Sequence, residues 1–217
     1  MSSFILKLFA IITMTIDHIG ILFFPTNQIF RIIGRMSMPL FAFQVGVGLK
    51  KTSSKNKYIL RMFFIALISQ LPFCFMLKLC NYTINSLNIC FTFTISLLVL
   101  YFLELGKRHK LYYVASIILI LCSAFISMDY GIYCVFLVIT SYWFQDNKIM
   151  LTYSLLSAAL IYYIIENNTI QLYMLLTLPL LWLYNGKKGK NLKYFFYLFY
   201  PLHMLIISLI KYYLNTL

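Results

Sequence analysis

The sequence predicts an all-α fold: a polytopic integral membrane helical bundle of about nine transmembrane helices, with its amino terminus in the cytoplasm. Three observations predict it. Of 217 residues, 62% are hydrophobic and only 11% are charged, whereas a soluble domain carries closer to one quarter charged residues. The apolar residues fall into runs near the roughly 20 residues that a bilayer crossing requires. The cations gather in alternate polar turns, as they do in the cytoplasmic loops of membrane proteins. Every polar stretch is short, so residues 1–217 read as a single transmembrane domain with nothing left over for a soluble one.

The spans read, in order, as 4–24, 31–49, 59–79, 87–103, 111–127, 130–144, 149–165, 170–184 and 194–214. The first lacks a basic cluster and a small-x-small cleavage site, so it reads as a span and not as a cleavable signal. Turn residues separate it from the rest: PTNQ at 25–28, KKTSSKNK at 50–57, NYTIN at 81–85 and GKRHK at 106–110. QDNK at 145–148, ENN at 166–168 and NGKKGKNLK at 185–193 complete the series. Asn, Gly, Pro and Lys punctuate helices in this way because they favour turns or remain solvated.

Lys50, Lys51, Lys55, Lys57 and Arg61 surround the second turn of this series, and Lys107, Arg108 and Lys110 the fourth. Lys148 and then Lys187, Lys188, Lys190 and Lys193 follow after the sixth and eighth spans. The alternate loops hold Lys78, with Lys211 in the tail. This asymmetry sets the amino terminus inside and, after nine spans, the carboxyl terminus outside. It also accounts for the net charge of +13, so no nucleic-acid partner is expected. The five cysteines form no CxxC and no metal-ligand spacing, and no metal is expected. Cys80 and Cys90 flank one short loop and could pair in an oxidising space; the others behave as small hydrophobes.

Asp17 and His18 stand side by side within the first apolar run. A carboxylate at the centre of such a helix costs roughly 2.5–3.5 kcal/mol on insertion scales, so it needs a partner or a task. Arg31 and Arg35 begin the second span on the same outer side and, four residues apart, share one helix face. Adjacent helical residues point about 100° apart, so Asp17 is expected to pair with Arg31 or Arg35 instead of orienting His18. Lys7 and His18 are eleven residues apart, which places them within about 20° of one face and roughly 16 Å apart along the axis. One face of the first helix thus offers a cation near the cytoplasm and an imidazole deeper in. The plainer reading of Lys7 is a snorkelling anchor, and of Arg61 a positive-inside residue. His203 follows Pro201 in the last span, where a hydrogen bond to a neighbouring helix is the plainer reading. Asp129 falls on an outer turn and could serve only to end a helix.

Taken together these residues resemble the TraX family, named for the conjugative-plasmid pilin acetylase. The matching stretches are LKLFAIITMTIDHIG (6–20), FRIIGRMSMPLFAFQVGVGL (30–49), YILRMFFIALISQLPF (58–73), NICFT (88–92), DYGIY (129–133) and FYLFYPLHMLII (196–207). The chain departs from the pattern at Gln70, where an acid is more usual, and diverges over 93–127. The family is similar to transmembrane acyltransferases, which often open with a basic residue, ten others and a histidine; Lys7 and His18 have that spacing. The resemblance implies cytoplasmic acetyl-CoA as donor substrate and an acceptor presented from outside, in a bacterial cytoplasmic membrane. His18 would then be the catalytic base or acyl carrier, with Asp17 beside it, while Lys7 and Arg61 hold the CoA phosphates. Arg31, Arg35, Asp129 and His203 would bind the acceptor or form structural pairs. The acceptor it implies is the amino-terminal amine of an exported pilin-like peptide. O-acetylation of a surface glycan or lipid-linked sugar is the alternative within enzymes. A proton-coupled transporter and a purely structural membrane subunit are the alternatives outside them.

Overall fold

A computed structural model describes residues 1–190 and 192–216. Asn191 and Leu217, together with the side chain of Lys193, lie outside the described residues, so the end of the expected 185–193 turn is not placed. Ten α-helices and one 3-10 segment occupy the described chain: α1 (Ser3–Phe23), α2 (Gln28–Gly34), α3 (Ser37–Lys51), α4 (Lys55–Leu79), α5 (Ile89–Leu105) and α6 (Leu111–Phe125). They continue as α7 (Gly131–Phe144), α8 (Lys148–Glu166), the 3-10 segment Thr169–Thr177, α9 (Leu178–Trp182) and α10 (Lys193–Thr216).

Four of these elements start on an asparagine drawn from the turn signals or their flanks. Asn27, Asn88, Asn147 and Asn168 each accept a hydrogen bond from a backbone N–H in the first turn they precede, satisfying a donor that the helix itself leaves open. Two expected spans are broken. The 31–49 run is two helices, α2 and α3, meeting at Arg35 and Met36. Pro39 explains the break: it has no N–H to bond the Arg35 carbonyl, and its ring crowds that carbonyl. The 170–184 run is a 3-10 segment followed by the short α9, with Pro179 at the junction. The apolar pattern runs through both breaks, so hydropathy alone reads each as one span.

Counting each broken pair as one crossing, the described residues make nine passes. Five helical stretches are long and apolar enough to cross a membrane: Ser3–Phe23, Gln28–Lys51, Lys55–Leu79, Lys148–Glu166 and Tyr194–Thr216. The remaining passes are shorter apolar helices. Leu111, Ile117, Ile118, Leu121 and Phe125 of α6 are exposed, an apolar face that only lipid would solvate favourably. The termini lie at opposite ends. Backbone N–H groups of Ser3 and Phe4 donate to the carbonyls of Lys187 and Lys188 at 2.8 and 3.1 Å, and Asn185 N donates to Met1 O at 3.0 Å. At the other end the Lys211 ammonium stands 5.6 Å from the centre of the Phe23 ring.

The core sits among α3, α4, α5, α7 and α8, with Ala42, Leu49, Ala66, Leu97, Val138 and Ala159 fully buried. On the side that the loop charges assign to the cytoplasm, Glu104 is paired with Lys55 and with the Tyr142 hydroxyl, and Lys50 lies 3.4 Å from Asp146. On the opposite side, the outer one by the same rule, Leu87 and Met128 bridge the loops that precede α5 and α7.

Candidate functional site

The broken second crossing aims its arginines. α2 ends at Gly34, so Arg31 and Arg35 lie beside α1 at the depth of Asp17. Arg31 Nη1 donates to both carboxylate oxygens of Asp17 at 2.9 Å, and Arg35 Nη2 lies 3.7 Å from Oδ1. Gly34 makes this approach possible, since a Cβ there would collide with the Asp17 carboxyl group. Arg35 is only 6% exposed, and its Nη1 also donates to the Tyr130 hydroxyl at 2.8 Å and to Gln171 Oε1 at 3.0 Å. Asp17 therefore joins α1 to α2, as the helical rotation predicts.

His18 turns to a different helix. Its Nδ1 lies 2.8 Å from Nε2 of His203 on α10. His203 Nδ1 in turn lies 2.8 Å from the Phe199 carbonyl one turn earlier. The two histidines expected from sequence are thus brought into direct contact, 185 residues apart.

Asp17, His18, Arg31, Arg35 and Asp129 line one cavity of about 310 Å³ near the outer end. Tyr82, Tyr130, Tyr162 and Asn168 add to its polar wall. Asp129 is fixed through its backbone, its N–H donating to Leu87 O and its carbonyl accepting from Thr92. Among the described residues its carboxylate makes no hydrogen bond and no ion pair. Burial pushes that carboxyl up to about 6, and the nearby Arg35 guanidinium opposes the rise.

Lys7 and Arg61 are not in this chamber. They line a second cavity of about 460 Å³ toward the amino-terminal end, with Lys51, Lys188 and Lys190. Lys7 Nζ stands 5.5 Å from the centre of the Phe196 ring. Gln44 Nε2 and Arg61 Nε, both on buried faces of this wall, find no hydrogen-bond acceptor among the described residues. Buried donors left this way cost about 1–3 kcal/mol each unless something supplies an acceptor. Met14, Phe41, Ile89, Phe93 and Tyr200 line both cavities, so one layer of side chains separates them. Helix α1 runs past both, carrying Lys7 in one and His18 in the other.

Several members of the site are not legible in single residues. Gln171 is fully buried at the centre of the Arg35 network; a lone amide in an apolar run was its only signal. Tyr130 holds φ at 57°, a left-handed conformation uncommon outside glycine, and it thereby turns its hydroxyl onto Arg35. Gln70 accepts from both Asn88 N and Asn88 Nδ2 and donates to the Ser86 carbonyl at 3.1 Å. A carboxylate could accept in the same way but could not make that last bond.

The fold and the site define a multi-pass helical membrane protein with two chambers, one lined by cations and one by His18 and the Asp17–Arg31–Arg35 group, on either side of a thin wall of side chains. The chain belongs to the TraX protein family, whose model matches residues 2–211. It is 28% identical over 241 aligned positions to a probable fimbrial assembly protein, FimC of serogroup H1, from Dichelobacter nodosus, covering 99% of this chain and 97% of that one. It is also 55% identical over 42 residues to an uncharacterized protein of Rickettsia prowazekii (strain Madrid E), covering 19% of this chain and 17% of that one. No solved structure matches it.

Proposed function

We propose that this protein is an acetyl-CoA-dependent N-acetyltransferase of a bacterial cytoplasmic membrane. It moves an acetyl group from cytoplasmic acetyl-CoA to the amino-terminal amine of an exported pilin-like peptide at the outer face. The observation that carries this reading is the pair of chambers meeting at one side-chain layer. CoA is an elongated anion with phosphates at one end and the thioester at the tip. The inner chamber suits the phosphate end: Lys7, Lys51, Arg61, Lys188 and Lys190 supply charge, and Gln44 Nε2 and Arg61 Nε supply unused donors. The thioester passes the layer formed by Met14, Phe41, Ile89, Phe93 and Tyr200 and meets His18. The acceptor, held first as an ammonium, loses one proton to water, and the neutral amine so formed attacks the thioester carbonyl; a C–N bond forms and the C–S bond breaks. His18 takes the proton from the amine nitrogen and returns it to the departing CoA thiolate. An α-amine has a reference pKa near about 8, which suits a base of this type.

An amine is favoured over a hydroxyl by Asp129, whose carboxylate faces the outer chamber without a side-chain partner. A carboxylate so placed holds an incoming ammonium, whereas a sugar hydroxyl has no need of it. The name of the Dichelobacter relative, a fimbrial assembly protein, supports a pilin-like acceptor.

Purified protein in detergent, given labelled acetyl-CoA, tests the reading. The wild type is expected to turn it over. His18→Ala is expected to bind it but lose transfer by about 10²–10⁴-fold, the usual share of a positioned base. Absence of acetyl-CoA binding by the wild type would remove the enzyme reading and favour a carrier. Asp129→Asn is expected to raise KM for an amine acceptor about tenfold or more, since a hydrogen bond to a charged group contributes roughly 1.5–3 kcal/mol. The ionised carboxylate is the form that holds an ammonium, and it prevails above about 6. Acceptor KM in the wild type is therefore expected to rise as pH falls through that value, and the Asn variant to lose this dependence.

A further inference from the structure

We infer that His203 is a positioning residue that fixes the tautomer of His18, holding the proton on Nδ1 and leaving Nε2 as the free base. The inference rests on the acetyltransferase reading for its kinetic consequence but not for its geometry. The Phe199 carbonyl can only accept, so His203 Nδ1, 2.8 Å away, carries a proton. In a neutral ring the other nitrogen is then bare. His203 Nε2 is thus an acceptor, and the group facing it at 2.8 Å, His18 Nδ1, must donate. That leaves the lone pair of the neutral His18 ring on Nε2. Among the described residues this nitrogen makes no hydrogen bond, and His18 lines the outer chamber.

The ring geometry supports this assignment. The two imidazoles are within 6° of parallel, with centres 4.9 Å apart. With 2.8 Å between the nitrogens, nearly all of that separation is one hydrogen bond plus two ring radii. The rings therefore lie edge to edge in almost one plane, and the contact follows the direction in which an imidazole N–H points. A face-to-face stack could not bring the nitrogens this close. Phe199 backs the His203 ring from the preceding turn, its plane within 10° and its centre 5.1 Å away.

The usual orienting partner of a catalytic histidine is a carboxylate. Here the neighbouring carboxylate, Asp17, is taken by Arg31 and Arg35, and a neutral imidazole takes its place. When His18 accepts the amine proton on Nε2, its Nδ1–H stays on His203, and the ring need not turn before the proton is passed to the thiolate.

Two measurements test the inference. Solid-state nitrogen NMR of histidine-labelled protein in lipid bilayers at neutral pH reads protonation atom by atom. His18 is expected to show a protonated Nδ1 and a bare Nε2, assigned by their loss in His18→Ala; the reverse tautomer, or a doubly protonated His203, would overturn the inference. That result stands whether or not the protein turns over acetyl-CoA, so failure of the enzyme reading remains distinguishable. For turnover, His203→Gln retains an acceptor for the Nδ1 proton and is expected to keep kcat within about tenfold of the wild type. His203→Leu retains none and is expected to approach the roughly 10²–10⁴-fold loss assigned to the base itself, with KM for acetyl-CoA unchanged in both. Equal kcat in folded Gln and Leu variants would leave His203 no role through His18.

Discussion

Asp17→Leu is expected to cost the protein about 3–5 kcal/mol of stability, the usual penalty for removing one partner of a buried ion pair. The size follows from what remains behind. Arg35 is buried and cannot shed its proton, and its other partners, Tyr130 and Gln171, are neutral. Arg31 loses both of its short contacts to carboxylate oxygens. Two cations would then share the outer chamber without a counter-ion bonded to them. Thermal unfolding of the purified protein in detergent is the measurement, and the midpoint should fall well below that of the wild type. Adding Arg31→Met to the same chain removes one stranded charge and is expected to recover part of the loss. If Asp17 instead acted on His18, Asp17→Leu would fold normally and lose only turnover.

Gly46→Leu is the second large effect. α3 crosses α7 so closely at this point that a Cβ on Gly46 would lie 2.7 Å from the Val138 carbonyl oxygen and 2.8 Å from the Tyr142 nitrogen. Both are backbone atoms inside a helix and cannot swing aside as a side chain would. Leucine gains helix propensity over glycine by less than about 1 kcal/mol, while overpacking of this kind costs about 1–3 kcal/mol and sometimes more. The clash wins, and its consequence reaches further than stability. Gln44, two residues before Gly46, lines the inner chamber, so forcing α3 away from α7 also shifts that wall. Weaker acetyl-CoA binding together with a lower unfolding midpoint is the expected pair of results, read by calorimetry on the same preparation.

The spans were legible because lipid imposes a simple rule on composition. The depth and direction of Asp17, His18, Arg31 and Arg35 followed from helical rotation plus the charge of the loops. The interruption at Arg35 and Met36 was not legible in hydropathy, since Pro39 breaks hydrogen bonds without breaking the apolar run. Nor could sequence show that Lys7 and His18, on one face of one helix, look into different chambers. That depends on Phe41, Phe93 and Tyr200 arriving from three other elements to divide the space. Tyr130 and Gln171 were missed for the same reason: their importance lies in Arg35, 95 and 136 residues away. The contact between His18 and His203 belongs in this class, although each histidine stood out alone in its apolar span.

The backbone lacing of Ser3 and Phe4 to Lys187 and Lys188 sets an order of events during synthesis. The segment that carries Lys188 and Lys190 into the inner chamber emerges only after the preceding helices have been made, yet it must meet Ser3 and Phe4, synthesised long before it. Contacts between such distant parts of a chain form late. Through most of its own translation the growing protein thus holds Ser3 and Phe4 unanchored, with the cationic chamber still open on one side. A chain truncated before Lys187 would lack the strap that closes this chamber, so an enclosed inner chamber exists only once that segment has been made.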